Sequence, residues 1–471
     1  MKKKYCNDEI NVQELKKKFN QLTLESEDRW DYQGKGKSER DYVHGFCTYP
    51  AMMVPKMQRE ILEVCLERIK KKKIRLLDPF AGSGTILVEG MLKGLDIVGI
   101  DINPLAVLLC KVKTTIIEPE ELKNKANLLE QTVEQLKEQN VKKHFFEGID
   151  KWFTERAIDD LSIIRAAIMQ EARIEIRRFF WATFCEVVRI VSNSRDCTYK
   201  LHIKEAKDID GYNKDALNIF SKTLKYNIEQ YILFYTTLKE NGKIKKDGVT
   251  YKGEIKVVLG DSVSYLNHSK QKYDLVVTSP PYGDNHTTVS YGQYSVMPLR
   301  WIECTDIDAT FESSLIDTLC GIDNVSLGGK YTNKSMSSKR KKVLDKSETL
   351  KHQSLDIQKL DEKQVNKLIA FYSDFELFLS AVSKKMKQGA VSVWTLGNRK
   401  IAKQEIYMNK ITMELCSKHQ MLLVTSFTRK ILNKRMPEIS AYSGEHKESQ
   451  TTMTREHILV FAKEQSGDMS R

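Results

Sequence analysis

The feature that most constrains this chain is a strand–turn–helix–strand unit near its N-terminal third. Ile74-Arg75-Leu76-Leu77 reads as a short apolar strand and Asp78-Pro79-Phe80-Ala81-Gly82-Ser83-Gly84 as a turn. Thr85 to Lys93 follows with helical spacing, Gly94 ends it, and Asp96 to Ile100 forms a second buried strand. Strand, crossover helix and strand within about 30 residues make a parallel βαβ unit. Further strands are expected at Lys256-Val257-Val258-Leu259, Tyr273 to Val277, Ala390 to Leu396, Met421 to Phe427 and His457 to Ala462.

Between these blocks the pattern changes. Residues 113–250 are mostly helical and charged, so the α/β alternation is interrupted by a helical insertion. Residues 321–366 carry Gly328-Gly329, Ser335 to Ser338 and the basic run Lys339-Arg340-Lys341-Lys342, and read as a mobile basic loop. Phe371 to Met386 and Gln404 to His419 read as helices. Residues 1–40 are a polar segment, with a short helix and a flexible approach around Gly34-Lys35-Gly36-Lys37.

Composition removes several classes. The 471 residues are 41% hydrophobic and 30% charged, enough to build a core and unlike a disordered chain. No apolar run approaches the roughly 20 residues that cross a bilayer, and the first residues lack the apolar stretch of a secretory signal. The nine cysteines are scattered without a Cys-x-x-Cys pair, which points to reduced thiols in a cytoplasmic protein and to no metal site. The 76 Lys and Arg against 63 Asp and Glu leave a net charge of +13, which favours a polyanionic partner only if an independent feature agrees. No coiled-coil signal appears, so a monomer is expected.

A glycine turn between a parallel strand and a helix lets backbone approach a ligand closely, and the helix N-terminus offers free N–H groups. Asp78 stands at the end of the first strand, where an acid suits an ammonium group better than a pyrophosphate. Asp101 ends the second strand, where it can accept from ribose hydroxyls, and Asp261 follows the third, within reach of an adenine amino group. A ligand with an ammonium, a carboxylate, a ribose and an adenine but no phosphate fits these placements; S-adenosylmethionine is that molecule.

The fourth strand runs into Thr278-Ser279-Pro280-Pro281-Tyr282-Gly283. Two prolines fix φ and remove two donors, so the segment offers carbonyl oxygens and a hydroxyl, with an aromatic ring at its end. That arrangement suits an exocyclic amine of a nucleobase. Ser279 Oγ and the Pro280 carbonyl can each accept one N–H, which draws the nitrogen toward tetrahedral geometry, and Tyr282 can stack on the base. Positioning carries such chemistry; no strong general base is needed, because the proton leaves after the amine has become cationic.

With these residues assembled, the sequence resembles the amino-methylating DNA methyltransferases. Asp78 to Thr85 is similar to that family's cofactor motif, and Thr278-Ser279-Pro280-Pro281-Tyr282 to its catalytic motif in the cytosine-N4 form. His44-Gly45-Phe46-Cys47-Thr48-Tyr49-Pro50-Ala51 resembles a segment that encloses the methionine end in one subgroup. Lys434-Arg435-Met436-Pro437 and Thr452-Met453-Thr454-Arg455-Glu456-His457 resemble that subgroup's final strands.

The resemblance implies a Rossmann-like α/β fold: a seven-stranded, mostly parallel sheet whose last strand is antiparallel. The catalytic domain is expected from residues 41–112, 251–320 and 367–471. Insertion 113–250 would serve target recognition, assisted by 321–366, with Ser194-Arg195-Asp196 and Tyr199-Lys200-Leu201-His202 as contacts. S-adenosylmethionine would be held by Tyr49, Asp78, Phe80, Gly82, Gly84, Thr85, Asp101 and Asp261, and catalysis by Ser279, Pro280, Pro281 and Tyr282. The implied partners are double-stranded DNA, with the base flipped out, and a cognate restriction endonuclease. Adenine N6, an RNA base, and a DNA-binding subunit without catalysis stay open as alternatives.

Overall fold

The computed structural model describes residues 12–25, 30, 40–69, 71, 73–195, 199–210, 214–285, 288–330, 333–401, 404–431, 439–441, 449–451 and 454–464. Asp196, Lys434 to Pro437, Thr452-Met453 and the approach segment around Gly34 to Lys37 lie outside the described residues.

Seven strands form the central sheet: β1 (Arg75–Asp78), β2 (Asp96–Asp101), β3 (Ile255–Leu259), β4 (Tyr273–Thr278), β5 (Met386–Gly397), β6 (Met421–Lys430) and β7 (Arg455–Lys463). Their spatial order is β3-β2-β1-β4-β5-β7-β6. All pair in parallel except β7, which runs antiparallel to both β5 and β6. The expected mostly parallel sheet with an antiparallel last strand is therefore the fold observed.

Alternation within the strands explains why both faces are covered. Leu76, Ile97, Leu275, Val277, Val391 and Val460 belong to one apolar cluster. Their neighbours Leu77, Val98, Val276, Trp394 and Phe461 belong to the other. Strands buried on both faces need nearly continuous apolar sequence, and β4 is buried at every position.

The 113–250 segment folds, as expected, mostly into helices, chiefly Pro119–Lys137, Glu155–Met169, Ile174–Val191 and Ala216–Glu240. Its large side chains, including Phe179, Phe180, Trp181 and Tyr231, are fully buried in the same cluster as one face of the sheet. Tyr231 Oη accepts from Ile117 N at 2.6 Å and pins the entrance of the segment. The insertion thus extends the core of the sheet.

Residues 321–366 correct an expectation. They form helices Asn333–Leu344 and Glu348–Gln358 and the start of Glu362–Lys385, where a loop was expected. Met336, Val343, Leu350 and Ile357, spaced seven apart, are buried against the second apolar cluster. Ser347 and Asp361 cap the second and third of these helices. Four sparse apolar residues among Lys and Ser hide this stripe from a composition reading. A smaller correction concerns 404–419: Gln404–Ile406 pairs with Arg399–Ile401 as a hairpin, and the helix spans only Met408–Ser417.

The segment before β1 is anchored by charge. Glu89, fully buried, accepts from His44 Nε2 at 3.0 Å and from Arg59 Nε and Nη2 at 2.9 Å each. Arg59 also reaches Asp41 at 3.0 Å, so Asp41 and Glu89 converge on one guanidinium while His44 holds Glu89 through a separate hydrogen bond. Replacing Glu89 with alanine is expected to destabilise the protein by about 3 kcal/mol, because it strands His44 and Arg59 without their buried acceptor. Urea unfolding checks this; a loss under about 1 kcal/mol would show that the cluster is not an anchor.

Candidate active site

In an open α/β sheet the usable crevice lies beyond the carboxyl ends of the strands, where the strand order reverses. Here that point falls between β1 and β4. The glycine turn after β1 and the Ser-Pro-Pro-Tyr segment after β4 are therefore brought to one place. Thr278 Oγ1 donates to Asp78 Oδ1 at 2.7 Å, tying the two strand tips together.

Around this point opens a cleft of about 930 Å³, including the solvent at its mouth. Of the residues expected at the site, Tyr49, Phe80, Gly82, Thr85, Asp101, Asp261, Ser279 and Pro281 line it. Asp78, Gly84, Pro280 and Tyr282 are the neighbours of these lining residues in the two turns.

Gly82 and Gly84 have φ of +49° and +80°, a region that other L-residues enter at a cost. A Cβ at Gly82 would meet only Tyr49 Cε1 at 3.7 Å and Phe80 O at 4.0 Å. At Gly84 it would press on Cys110 Sγ at 3.2 Å, so this glycine serves packing against the helix Pro104–Thr114. Lys113, fully buried on that helix, donates to Ser83 O at 2.8 Å, and burial brings its ammonium down to about 8.

The acids differ in setting. Asp101 Oδ2 accepts from Gly82 N at 2.7 Å and Oδ1 from Asn103 N at 2.8 Å. Burial raises its carboxyl to about 6 against the pull of these bonds. Asp78 is fully buried; beyond Thr278 it accepts from Phe80 N at 3.2 Å, while Oδ2 has no partner. Burial pushes its carboxyl up to about 7. Asp261 is exposed and caps the helix Ser262–His268 through Ser264 N at 2.7 Å.

On the β4 side, Ser279 Oγ donates to Thr395 O on β5 at 3.1 Å and lies 3.3 Å from Tyr282 Oη. Tyr282 Oη donates to Glu456 Oε1 at 3.0 Å, and burial together with that carboxylate holds the phenol well above its ordinary range. Asp284 is paired with Arg399 at 3.1 Å, and a Cβ at Gly283 would collide with the Arg399 guanidinium. The loop after β4 is thus fixed at two points.

Several lining residues had no signal in the sequence. Asn103 donates to Tyr49 Oη at 3.0 Å and to Ser295 Oγ at 2.7 Å, holding the tyrosine at the wall. Tyr291 packs beside Tyr49 at 5.8 Å. Asn285, buried, leaves its Oδ1 without a partner. Ile322, Val325 and Leu327 come from the stretch expected to be a loop, and Phe378 from the helix behind it. Ala51, from the His44 to Ala51 segment singled out in the sequence, also lines the cleft and has φ of +49°, a strained setting for an alanine. The insertion supports this wall as well: Glu186 on the helix Ile174–Val191 accepts from Thr48 N at 2.9 Å and Thr48 Oγ1 at 3.1 Å, beside Tyr49.

Among the described residues, no helix is long and apolar enough to cross a membrane. No family model matches the chain. Among solved structures, TrmN from Thermus thermophilus matches with a TM-score of 0.26 and 8% identity, over 87% of this chain and 49% of that one. The rRNA methyltransferase aviRa from Streptomyces viridochromogenes matches with a TM-score of 0.27 and 11% identity, over 88% and 86%. In sequence, the type II methyltransferase M.MjaII of Methanocaldococcus jannaschii is 28% identical over 127 residues, 24% of this chain and 23% of that protein. The type II methyltransferase M.MvaI of Kocuria varians is 32% identical over 467 residues, 97% of this chain and 98% of that protein. Identity at that level along nearly the whole of both proteins means that this chain belongs to the type II methyltransferase family.

Proposed function

We propose that the protein transfers a methyl group from S-adenosylmethionine to N4 of a cytosine flipped out of duplex DNA. In this reading it is the cytoplasmic, monomeric modification enzyme of a restriction–modification system and acts beside a cognate endonuclease. The observation that carries the reading is the joined pair of strand tips, with Gly82 and Ser279 on one cleft and Thr278 bonded to Asp78.

The residues present fit the methyl donor. Gly82 leaves room where a side chain would stand, and Asp78 Oδ2 is a buried acceptor without a partner, as an ammonium requires. Asp101, between Gly82 N and Asn103 N, retains lone pairs for ribose hydroxyls, and Asp261 offers an acceptor to the adenine amino group. When bound there, S-adenosylmethionine supplies an electrophilic methyl on a sulfonium. Phe80 and Tyr49 line that place and exclude water from it. Ser279 donates its hydroxyl hydrogen bond to Thr395 O, so its lone pairs serve the target amine, with the Pro280 carbonyl as second acceptor. Tyr282 stacks on the base in a plane fixed by its tether to Glu456.

Within the insertion the long helices are committed to the core. The polar connection at 192–204 is the better place for strand contacts: Arg195 and Lys200 line a small pocket with Thr48, and the Tyr199 ring lies 6.0 Å from that of Tyr294. The exposed Lys341 and Lys342 on Asn333–Leu344 add phosphate contacts from the other inserted segment.

Incubating the protein with labelled S-adenosylmethionine and DNA, then digesting to nucleosides, tests the proposal. Label in N4-methylcytosine supports it. Label in N6-methyladenine replaces the base, label only with RNA replaces the substrate, and DNA binding without transfer would leave a subunit that has lost catalysis.

Asp78 gives a pH prediction. A folded carboxyl near 7 against an unfolded one near 4 means the folded protein holds the extra proton, so this group's contribution to stability falls as pH rises from about 4 to 7. Holding an ammonium requires the ionised form, so donor binding at pH 6 should release close to one proton. Affinity should climb up to about tenfold per pH unit below 7 and then level. Calorimetry in buffers of different ionisation enthalpy measures the proton. Asp78→Asn should abolish the release; retention of the full release in that variant would move the assignment to Asp101.

A further inference from the structure

Glu456 belongs to no expected site, yet it is bonded to the loop after β4. The register of β7 places it between Gly397 on β5 and Arg429 on β6, so the arginine is its cross-strand partner. Arg429 reaches Glu456 Oε2 through Nε at 2.8 Å and Nη2 at 2.5 Å, and both side chains are largely buried. The other oxygen, Oε1, accepts from Tyr282 Oη at 3.0 Å, and Tyr282 Oη lies 3.3 Å from Ser279 Oγ.

We infer that Glu456, held by Arg429, is a positioning residue that sets the direction of hydrogen bonding at Ser279. The inference rests on the methyl-transfer reading and names a residue that acts through Tyr282. Paired with a guanidinium, the carboxylate only accepts, so Tyr282 must spend its one proton on Glu456. Tyr282 therefore offers Ser279 only lone pairs. Ser279 donates its own proton to protein acceptors, to Thr395 O or Tyr282 Oη, and keeps its lone pairs for an N–H in the cleft. Were Tyr282 free to donate to Ser279, it would compete with the target amine for those lone pairs.

The isosteric change Glu456→Gln tests this. The amide carbonyl must face Arg429, which only donates, so the NH2 group turns to Tyr282 Oη and the phenol proton is redirected to Ser279. Single-turnover methyl transfer should fall about tenfold, the effect of one misdirected hydrogen bond, with donor affinity unchanged. Tyr282→Phe should cost only a few-fold, and adding it to Glu456→Gln should restore the rate to the Tyr282→Phe level, because a phenyl ring has no proton to misdirect. A merely structural Glu456 would not be rescued by a second lesion. The inference is overturned if the two losses multiply, if Tyr282→Phe costs more than Glu456→Gln, or if Glu456→Gln transfers at the parent rate. Urea unfolding of the same four proteins gives the Glu456–Tyr282 coupling without any activity. Coupling there, with no transfer to DNA or RNA by the parent protein, would sink the methyl-transfer reading instead.

Discussion

Replacing Gly82 with valine should weaken binding of the methyl donor by more than about 100-fold while the protein stays folded. The loss has two sources. Gly82 has φ of +49°, and a β-branched residue forced into the left-handed region costs about 1–2 kcal/mol, paid in part by distorting the turn. The larger source is position: the new Cβ has only Tyr49 Cε1 at 3.7 Å and Phe80 O at 4.0 Å near it, and the two branches beyond it would stand in the cleft. Distortion would also disturb the Gly82 N–H that donates to Asp101 Oδ2, and so the acid proposed for the ribose. Calorimetric titration with S-adenosylhomocysteine reads the affinity, and urea unfolding reads the fold. Binding within tenfold of the parent protein would mean that the glycine turn is not where the donor sits. Gly84→Ala offers the contrast, since its cost should appear in stability through Cys110, beneath the turn.

The fold was largely legible because its signals are local. The apolar runs of β1 to β4 are short, dense and bounded by Gly, Asp or Pro, and each lies within a residue of its expected place, whereas β5 starts at Met386, four residues before the expected strand. The turn glycines and the Thr278-Ser279-Pro280-Pro281 segment announce their conformations through residue type alone. What was not legible depends on long-range packing. Helix Asn333–Leu344 is held by Met336, Val343 and Leu344 and by tertiary contacts such as Lys339 to Asp374 at 3.1 Å, so its sequence looks like a charged loop. The cleft draws Ile322, Val325 and Leu327 from that region for the same reason. Asp78 shows a subtler limit: its place at a strand end was readable, but its full burial, with Thr278 on one oxygen, comes from the pairing of β1 with β4 across about 200 residues. Glu456 was visible as a letter in a strand; its role follows only from the register that sets it opposite Arg429.

Ser279→Ala should lower single-turnover methyl transfer by about 100-fold while donor affinity changes less than about twofold, the signature of an interaction that strengthens in the transition state. An exocyclic amine is a weak nucleophile because its lone pair is delocalised into the ring. As that nitrogen attacks, it gains positive charge and its N–H groups become better donors, so an acceptor in place gains most at the transition state. Ser279 is such an acceptor: its own proton goes to Thr395 O at 3.1 Å, and it lines the cleft. Loss of the hydroxyl also leaves the Thr395 carbonyl without that donor, which should cost about 1 kcal/mol in stability, too little to unfold the protein. Ser279 touches neither Asp78 nor Asp101 through a hydrogen bond, so the acids proposed for the donor keep their partners. Rapid-quench measurements with saturating labelled donor separate the transfer step from product release. Equal losses in turnover and donor affinity would make Ser279 a wall of the donor site. Unchanged turnover would remove the hydroxyl from the chemistry and leave the proline carbonyls to orient the amine alone.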